Sequence, residues 1–472
     1  MRPPSTKLTR VDSGKGNGKK LEKIKSSALS RGLSLAKMTL NTGAGLAGHR
    51  VSTLFASDAK KDENWKSFLL NRAKFLTSEL GELKGSLMKA GQMLSMYGEH
   101  FLPPEANQLL KSLQADSPPL KWSAMEPLFR KELGARYDEL EIEPEPIGSA
   151  SLGQVHRAKV KATGELLALK LQYPGVDRAI DSDLKALKSF FNMMKFLPQG
   201  KVTDHIFDEI RDMLEQETDY PAEMDATEKY ARLLADDKRF VVPRVHREYS
   251  GQKLTATSFE RGVRADDPLI RNLAPDRRNR LALMYMELYY KELFEWGVVQ
   301  TDPHLGNYRV RINPNGEDQL VLFDFGAVRE YPEEFLKPYH DMVEASLRND
   351  VEGLRTAALK LRFLEEGDDP ELRRIFEDFC TMTVEPFLEP HDPRNQAGQV
   401  AADGTYDWKN SDLPQRLTKK VFEMIRRFEL RPPPREILFL DRKTGGVFVF
   451  MSVFGAKIRA RELLLSYLEK RR

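Results

Sequence analysis

Apolar side chains recur every three or four residues in the N-terminal part of the chain, the spacing of a helix with one buried face. The spacing is clearest between residues 62 and 96, and it recurs at 104–114 and 122–133. Ser117-Pro-Pro119 separates the last two stretches. We therefore predict an all-helical section that continues to about residue 140.

Beyond this section the pattern changes to the alternation of apolar and polar residues that is typical of strands. Leu152–Val160 and Leu166–Leu171 alternate, and Ala162-Thr-Gly-Glu165 lies between them as a hairpin turn. Helical spacing returns afterwards and dominates the rest of the chain. The further predicted elements are helices at 203–235 and 275–297 and short strands at Phe240–Val245 and Lys253–Phe259.

Strands followed by helices indicate an α+β protein with a small β-rich lobe and a larger helical lobe. We expect four segments along the chain. They are a disordered basic tail at 1–20, a helical extension at 21–140, the β-rich lobe at 141–262 and the helical lobe at 263–472.

Basic residues are concentrated near the N-terminus. Residues 1–50 contain 11 Lys and Arg against two acidic residues, a net charge of +9, whereas the whole chain carries only +3. Such an arm suits an anionic surface, membrane headgroups or nucleic acid; the alternative is a solvated, partly disordered tail. No apolar run reaches the ~20 residues that a membrane span needs. The single cysteine, Cys380, excludes an intramolecular disulfide and fits a reducing compartment.

Two polar loops follow apolar stretches late in the chain. Asp324 comes directly after Leu320-Val-Leu-Phe323 and is followed by Phe and Gly, while Asp302 and Asn307 share the preceding loop. Magnesium prefers such oxygen ligands, and protein kinases use a loop Asp as base and a loop Asn as metal ligand. Each loop alone is also ordinary turn chemistry. Their order along the chain favours the kinase-like interpretation.

Lys170 lies in an alternating apolar strand and follows the loop Gly148-Ser-Ala-Ser-Leu-Gly-Gln-Val155. The backbone N–H groups of a glycine turn can approach phosphates closely. Ala150 stands where a kinase loop has its second glycine, so this loop should be stiffer. A lysine on the exposed face of an edge strand is the alternative for Lys170. The acidic run Glu215–Glu223 offers carboxylate partners for Lys170, or is simply a solvated helix face.

Lys89 and Gln92 lie three residues apart in the helical extension and therefore share one helix face. Gly91, between them, costs a helix interior about 1 kcal/mol relative to alanine, which suggests a close approach there. From spacing alone, the alternative of a surface lysine and a capping glutamine is the favoured one.

Together these motifs resemble the UbiB family, also called the AarF-domain group, of atypical protein-kinase-like proteins. The resemblance covers roughly residues 60–345, and the segment 439–448 is also similar to the family. It implies a two-lobe protein-kinase-like fold with a helical N-terminal extension and a helical C-terminal lobe. The chain departs from many bacterial members at two positions, with Gln300 where they have His and Leu305 where they have Pro.

The resemblance also implies roles for individual residues. Lys89 and Gln92 would lie across the nucleotide cleft, with Glu217 and Asp219 coupled to Lys89. Asp302 would occupy the position of the catalytic base, and Asn307 and Asp324 would hold Mg²⁺. The nucleotide-binding set would be Gly148, Ala150, Ser151, Gly153, Val155 and Lys170, with Glu223 as the partner of Lys170; the alanine-rich loop would favour ADP over ATP.

The implied function is that of an ATP- and Mg²⁺-dependent ATPase supporting isoprenoid-quinone (ubiquinone) or related lipid metabolism. A nucleotide-switched scaffold with little turnover is the alternative, and a conventional protein kinase is a third and less favoured one. The expected partners are ATP and ADP, an anionic membrane surface, and quinone-pathway proteins or lipids. No nucleic acid is expected, and homodimer formation is left open. We expect a cytoplasmic protein, peripheral at the inner face of a membrane.

Overall fold

The computed structural model describes residues 85–101, 110, 119–149, 152–193, 201–395, 398–427 and 435–471. The basic tail and most of the helices predicted at 62–96 and 104–114 lie outside these residues. Within them, no helix is both long enough and apolar enough to cross a membrane.

Helices and strands are labelled here in chain order. The helices are α1 Ser86–Phe101, α2 Trp122–Leu133, α3 Val176–Met193, α4 Lys201–Thr218, α5 Tyr220–Leu233, α6 Pro268–Arg271, α7 Pro275–Tyr290, α8 Glu333–Arg348, α9 Val351–Lys360, α10 Pro370–Thr383, α11 Leu413–Arg427, α12 Arg435–Phe454 and α13 Arg461–Lys470. The strands are β1 Leu140–Ser149, β2 Gly153–Val160, β3 Leu166–Gln172, β4 Phe240–Val241, β5 Leu254–Ser258, β6 Val263–Arg264, β7 Val298–Gln300, β8 Tyr308–Arg311, β9 Gln319–Leu322, β10 Val328–Glu330, β11 Tyr406–Asp407 and β12 Lys457–Ile458.

The chain divides into two compact units. The first takes in the described residues up to 193 together with Thr203–Tyr220 and His246–Phe259, and the second consists mainly of Pro221–Val245 and Glu260–Arg472. The segment boundaries predicted at residues 20, 140 and 262 stay predictions.

The first unit is built on an antiparallel sheet with the strand order β1-β2-β3-β5. The predicted hairpin is confirmed, because β2 and β3 pair from Gly153↔Gln172 to Lys159↔Leu166. Leu167, Leu169 and Leu171 point to one face of β3 and are fully buried, as the alternation requires. Helix α2 contributes its buried residues to the same core.

Two helices of the first unit differ from the sequence prediction. Helix α3 was not predicted, although Ile180, Leu184, Leu187 and Phe191 have helical spacing and are buried. The long helix expected at 203–235 is interrupted at Asp219, where α4 ends and α5 begins. Pro221 explains the interruption, because it has no N–H to continue a helix but is tolerated in a first turn.

The second unit contains a small sheet with the order β4-β9-β8-β6 and the separate pair β7-β10. The predicted helix at 275–297 is confirmed as α7 followed by a π-helical stretch, Lys291–Trp296. Helix α12 packs on α7, and the rings of Tyr285 and Phe450 stack with centroids 3.8 Å apart. Cys380, on α10, is buried in this core.

Candidate functional site

Asp324 has a backbone conformation that few residues other than glycine adopt. Its φ is +59°, in the left-handed region. The side chain is exposed, whereas Phe325, the next residue, is only 4 % exposed. The carboxylate Oδ1 accepts a 3.3 Å hydrogen bond from the Gly326 N–H, which fixes its direction. The turn therefore buries the phenylalanine and presents the carboxylate at the surface of the second unit.

Gln300 supports the main chain of this turn. Its Nε2 donates a 3.0 Å hydrogen bond to the main-chain carbonyl of Asp324. The Tyr308 hydroxyl donates to Gln300 Oε1 at 2.5 Å, which sets the orientation of the amide. Gln300 and Tyr308 are 3 % and 2 % exposed, so the pair is shielded from water. Gln300, one of the departures from the family pattern, thus supplies a donor that supports the Asp324 turn.

The loop that carries Asp302 and Asn307 is closed by its own hydrogen bonds. Asn307 Nδ2 donates to the main-chain oxygen and to Oδ2 of Asp302, both at 3.2 Å. The Asn307 carbonyl accepts from the Phe323 N–H at 2.8 Å, so the loop adjoins the segment that leads into Asp324. Because the amide nitrogen of Asn307 is directed at Asp302, its amide oxygen is the atom available to a cation.

A series of buried contacts connects these loops to the helices of the second unit. The rings of Phe325 and Tyr230 lie 4.7 Å apart, and the Tyr230 hydroxyl donates to Glu292 Oε1 at 3.0 Å. Glu292 Oε2 lies 2.6 Å from the ammonium of Lys443 on α12, and both side chains are essentially inaccessible to water. Burial raises the pKa of Glu292, and Lys443 opposes this rise.

Asp302 also pairs with a residue that the sequence analysis did not assign to the site. Arg442 Nη2 donates to Asp302 Oδ1 at 2.5 Å, across 140 residues of sequence. The only signal in the sequence was the resemblance of segment 439–448 to the UbiB family, which gave no role to any residue there. The carboxylate of Asp302 therefore accepts from Arg442 on one oxygen and from Asn307 on the other.

Lys170 lies on β3 of the first unit, opposite Val155 on β2 and Thr255 on β5. It is half-buried, and its Nζ lies 5.2 Å from the centroid of the Tyr220 ring. That distance suits a cation–π contact. Because β5 pairs with the other side of β3, the alternative of a lysine on an edge strand does not apply.

The loop between β1 and β2 is held at both ends by Tyr173. The Tyr173 hydroxyl lies 3.2 Å from Ser149 Oγ, and the Tyr173 N–H donates to the Leu152 carbonyl at 2.9 Å. Burial raises the pKa of Tyr173 to about 12. Ala150 and Ser151, the centre of the predicted phosphate loop, lie outside the described residues.

The two glycines of this loop have different surroundings. A Cβ at Gly153 would lie 2.5 Å from the Leu171 carbonyl oxygen, whereas a Cβ at Gly148 would meet only Val155, at 3.9 Å. Gly153 is therefore required by the packing of β2 on β3, independently of any phosphate.

Lys89 and Glu217 form an ion pair within the first unit. Lys89 Nζ lies 2.7 Å from Glu217 Oε1, and each side chain is 16 % exposed. Helix α1 is fixed on α3 beside this pair, because buried Ser86 donates to buried Asp183 at 2.5 Å. Lys89 is therefore not a solvent-exposed surface lysine, and Glu217 does not lie on a fully solvated acidic face.

The structure locates three further predicted site residues, Gln92, Asp219 and Glu223. Their predicted roles stay predictions. Gln92 is half-buried on α1 and Asp219 is exposed between α4 and α5. Glu223 is 6 % exposed in the first turn of α5, in the second unit, and its partnership with Lys170 stays a prediction. No group of three or more His, Cys, Asp or Glu with metal-binding geometry occurs among the described residues.

An Asp-Phe-Gly turn in a left-handed conformation, a loop with Asp and Asn five residues apart, and a strand lysine together define a kinase-like protein. The chain matches the family model of the ABC1 atypical kinase-like domain over residues 112–358. This match covers more than half of the chain, and the protein belongs to that family. The family resemblance seen in the sequence is therefore confirmed.

Several curated proteins are similar over most of the chain. The mitochondrial atypical kinase COQ8 of Saccharomyces cerevisiae is 27 % identical over 449 residues, which cover 94 % of this chain and 85 % of the yeast protein. The COQ8B protein of Rattus norvegicus, also named a mitochondrial atypical kinase, is 28 % identical over 93 % of this chain and 80 % of its own length.

A solved structure has a similar fold. It is the complex of Rv3197 with erythromycin from Mycobacterium tuberculosis, which matches with a TM-score of 0.54 and covers 85 % of this chain and 97 % of its own. At 24 % sequence identity this similarity concerns the fold alone. The predicted kinase-like α+β fold is confirmed.

Proposed function

We propose that this protein is a Mg²⁺- and ATP-binding kinase-like ATPase that supports isoprenoid-quinone (ubiquinone) or related lipid metabolism, and is not a conventional protein kinase. The proposal rests on the hydrogen bonds that support the Asp324 turn. A residue with φ +59°, fixed by Gln300 and Tyr308 beneath it, stores strain of the kind found at functional sites.

The donor set of the second unit fits magnesium. Mg²⁺ commonly uses one or two protein oxygens, with water and phosphate oxygens completing the shell. Asp324 presents an exposed carboxylate, and Asn307 presents its amide oxygen. When bound, the ion would neutralise charge on the phosphates. We assign Asp302 the position that accepts the proton of the attacking nucleophile.

For the first unit we assign Lys170 to the nucleotide phosphates, with Gly148, Ala150, Ser151, Gly153 and Val155 in the loop that covers them. Strand pairing supports this assignment, since Lys170 is directly opposite Val155 in register. Glu223 would be the partner of Lys170. We further propose that the Lys89–Glu217 ion pair, with Gln92 and Asp219, regulates access to the nucleotide.

The link to quinone metabolism rests on the relatives. The yeast and rat proteins are both named atypical kinases of the COQ8 type, and the UbiB resemblance carries the same association. We propose a peripheral position at an anionic membrane surface, reached through the basic arm at residues 1–50, and lipids or quinone-pathway proteins as partners.

One experiment separates this function from that of a nucleotide-switched scaffold. ADP formation should be measured with Mg-ATP alone, with anionic liposomes, and with liposomes plus a phenolic quinone-precursor mimic. We expect liposomes with the mimic to stimulate ADP formation several-fold or more over Mg-ATP alone. Asp302→Asn is the matched inactive control. Nucleotide-dependent liposome binding with no ADP formation would favour the scaffold, and phosphorylation of added peptides would contradict the proposal.

A further inference from the structure

Helix α12 is built to lie against the loop that carries Asp302. Four of the five residues from Arg442 to Gly446 make a specific contact in the second unit. Arg442 binds Asp302, and Lys443 pairs with Glu292 at 2.6 Å. The Thr444 and Tyr289 hydroxyls lie 2.7 Å apart, and a Cβ at Gly446 would overlap the ring of Pro303.

These contacts fix the position of Arg442. Lys443 is 0 % exposed, so helix α12 cannot rotate without exposing or unpairing a buried charge. The missing side chain at Gly446 lets the helix approach the residue next to Asp302. Gly445 is the contrasting position, because a Cβ there would meet nothing within 4 Å among the described residues.

The Asp302 loop itself contains no lysine or arginine. Gln300-Thr-Asp-Pro-His-Leu-Gly-Asn307 has only His304 as a titratable cation, and that imidazole accepts the Gly306 N–H through Nδ1. The cation beside Asp302 therefore comes from a different part of the chain. Both residues are mostly shielded, with side-chain exposures of 19 % for Arg442 and 15 % for Asp302, so solvent weakens the pair less than at an open surface.

We propose that Arg442 is a positioning residue for Asp302, whose carboxylate it holds in one orientation for proton transfer. The inference rests on the proposed function and names a residue of that same site. In ATP hydrolysis, the water oxygen bonds to the γ-phosphorus and the bond to the β,γ-bridging oxygen breaks, which releases ADP. The water proton passes to a carboxylate oxygen of Asp302.

The arrangement has a consequence for turnover. A guanidinium that donates to a carboxylate oxygen holds that carboxylate in one orientation through a charge-assisted hydrogen bond. Loss of the Arg442 guanidinium should therefore remove the orientation of Asp302 and slow hydrolysis without changing nucleotide binding.

The test measures steady-state ADP formation over a range of Mg-ATP concentrations in the full-length chain and two pairs of variants. Arg442→Gln should lower kcat about 10- to 100-fold, up to the lower end of a general-base contribution, and leave KM for Mg-ATP within about twofold. Arg442→Lys should recover part of kcat. Gly446→Ala should resemble Arg442→Gln without removing a charge, whereas Gly445→Ala should behave as the parent does.

Several outcomes would overturn the inference. One is an Arg442→Gln protein that binds Mg-ATP normally and keeps the kcat of the parent; this leaves the proposed function intact. Another is a rise in KM at constant kcat, which would place Arg442 on the nucleotide. If the parent forms no ADP above a blank, with or without liposomes, both the inference and the proposed hydrolysis fail.

Discussion

Gln300 supports Asp324 through a single 3.0 Å hydrogen bond from its side-chain amide to the aspartate's main-chain carbonyl. The contact joins the end of β7 to the Asp-Phe-Gly turn, and Tyr308 fixes the amide from the other side. The UbiB resemblance implies histidine at this position, and an imidazole N–H could donate to the same carbonyl. The glutamine therefore supplies a donor of the kind that a histidine would offer.

We predict that Gln300→His retains Mg-ATP affinity within about threefold, because a donor to the Asp324 carbonyl is restored. Gln300→Leu has similar volume but no donor, and leaves a buried carbonyl unpaired at a cost of about 1–3 kcal/mol. Its Mg-ATP affinity should fall about tenfold or more in isothermal titration calorimetry. Equal affinities for the two variants would show that the contact does not hold the turn.

The two loop glycines give a matched pair for the first unit. Gly153→Ala should destabilise the protein by about 1–3 kcal/mol, since its Cβ would press on the Leu171 carbonyl. Gly148→Ala should be tolerated within about 0.5 kcal/mol, because its nearest neighbour is Val155 at 3.9 Å. Urea unfolding measures both changes. An equal effect at both positions would contradict a packing role specific to Gly153.

Breaking the buried pair Lys443–Glu292 should lower the free energy of unfolding of the protein strongly. Lys443→Met leaves Glu292 buried without its cation, at a cost of about 3–5 kcal/mol. Burial raises the pKa of Glu292, so protonation relieves the variant and its deficit should be smaller at pH 5 than at pH 8.

The double variant Lys443→Met/Glu292→Gln tests this reasoning. It removes both charges and keeps an acceptor for the Tyr230 hydroxyl, so it should recover much of the lost stability in urea unfolding. A double variant less stable than Lys443→Met alone would show that the pair is not what the single change disrupts.

Asp237 should contribute to the acid stability of the second unit. The side chain of Arg239, and after it Lys291, hold the pKa of Asp237 well below its usual range. Stability from a lowered carboxylate pKa is present above the unfolded value, about 3.9, and is lost as pH falls below it. Because Arg239 is partly exposed, Asp237→Asn should cost only about 1 kcal/mol at pH 7.

That difference between parent and Asp237→Asn should shrink when urea unfolding is repeated from pH 5 down to pH 3. Among the residues that the structure describes, Asp341 on α8 makes a long surface pair with Lys337 at 3.8 Å and a contact with His340, so Asp341→Asn is the matched control. A deficit for Asp237→Asn that stays constant across this pH range would rule out ionisation as its cause.

The sequence predicted the elements whose signals are local. The β2–β3 hairpin and helix α2 followed from the spacing of apolar residues, and the Asp302 and Asp324 loops followed from turn residues after apolar stretches. Helix α3 was equally visible in its spacing, through Ile180, Leu184 and Leu187, and was simply not predicted. The break at Asp219 depended on Pro221, whose effect on a helix is also local.

Other features of the site depend on contacts between distant parts of the chain and could not be derived from spacing. Arg442 reaches Asp302 across 140 residues, and nothing near either residue indicates the pairing. The support of Asp324 by Gln300 and Tyr308 likewise depends on how β7, β8 and the Asp-Phe-Gly turn come together. For Lys89 and Glu217, the family resemblance gave the pairing that local patterns left open.

Mg²⁺-dependent ATP binding by Asp324 is tested most directly by thermal-shift titration of the parent, Asp324→Asn and the control Asp341→Asn. The melting temperature should rise with ATP only when Mg²⁺ is present, in the parent and the control alike. Asp324→Asn should be as stable as the parent without ligand and show no Mg²⁺-dependent rise. An undiminished rise in Asp324→Asn would contradict the assignment of Asp324 to the metal.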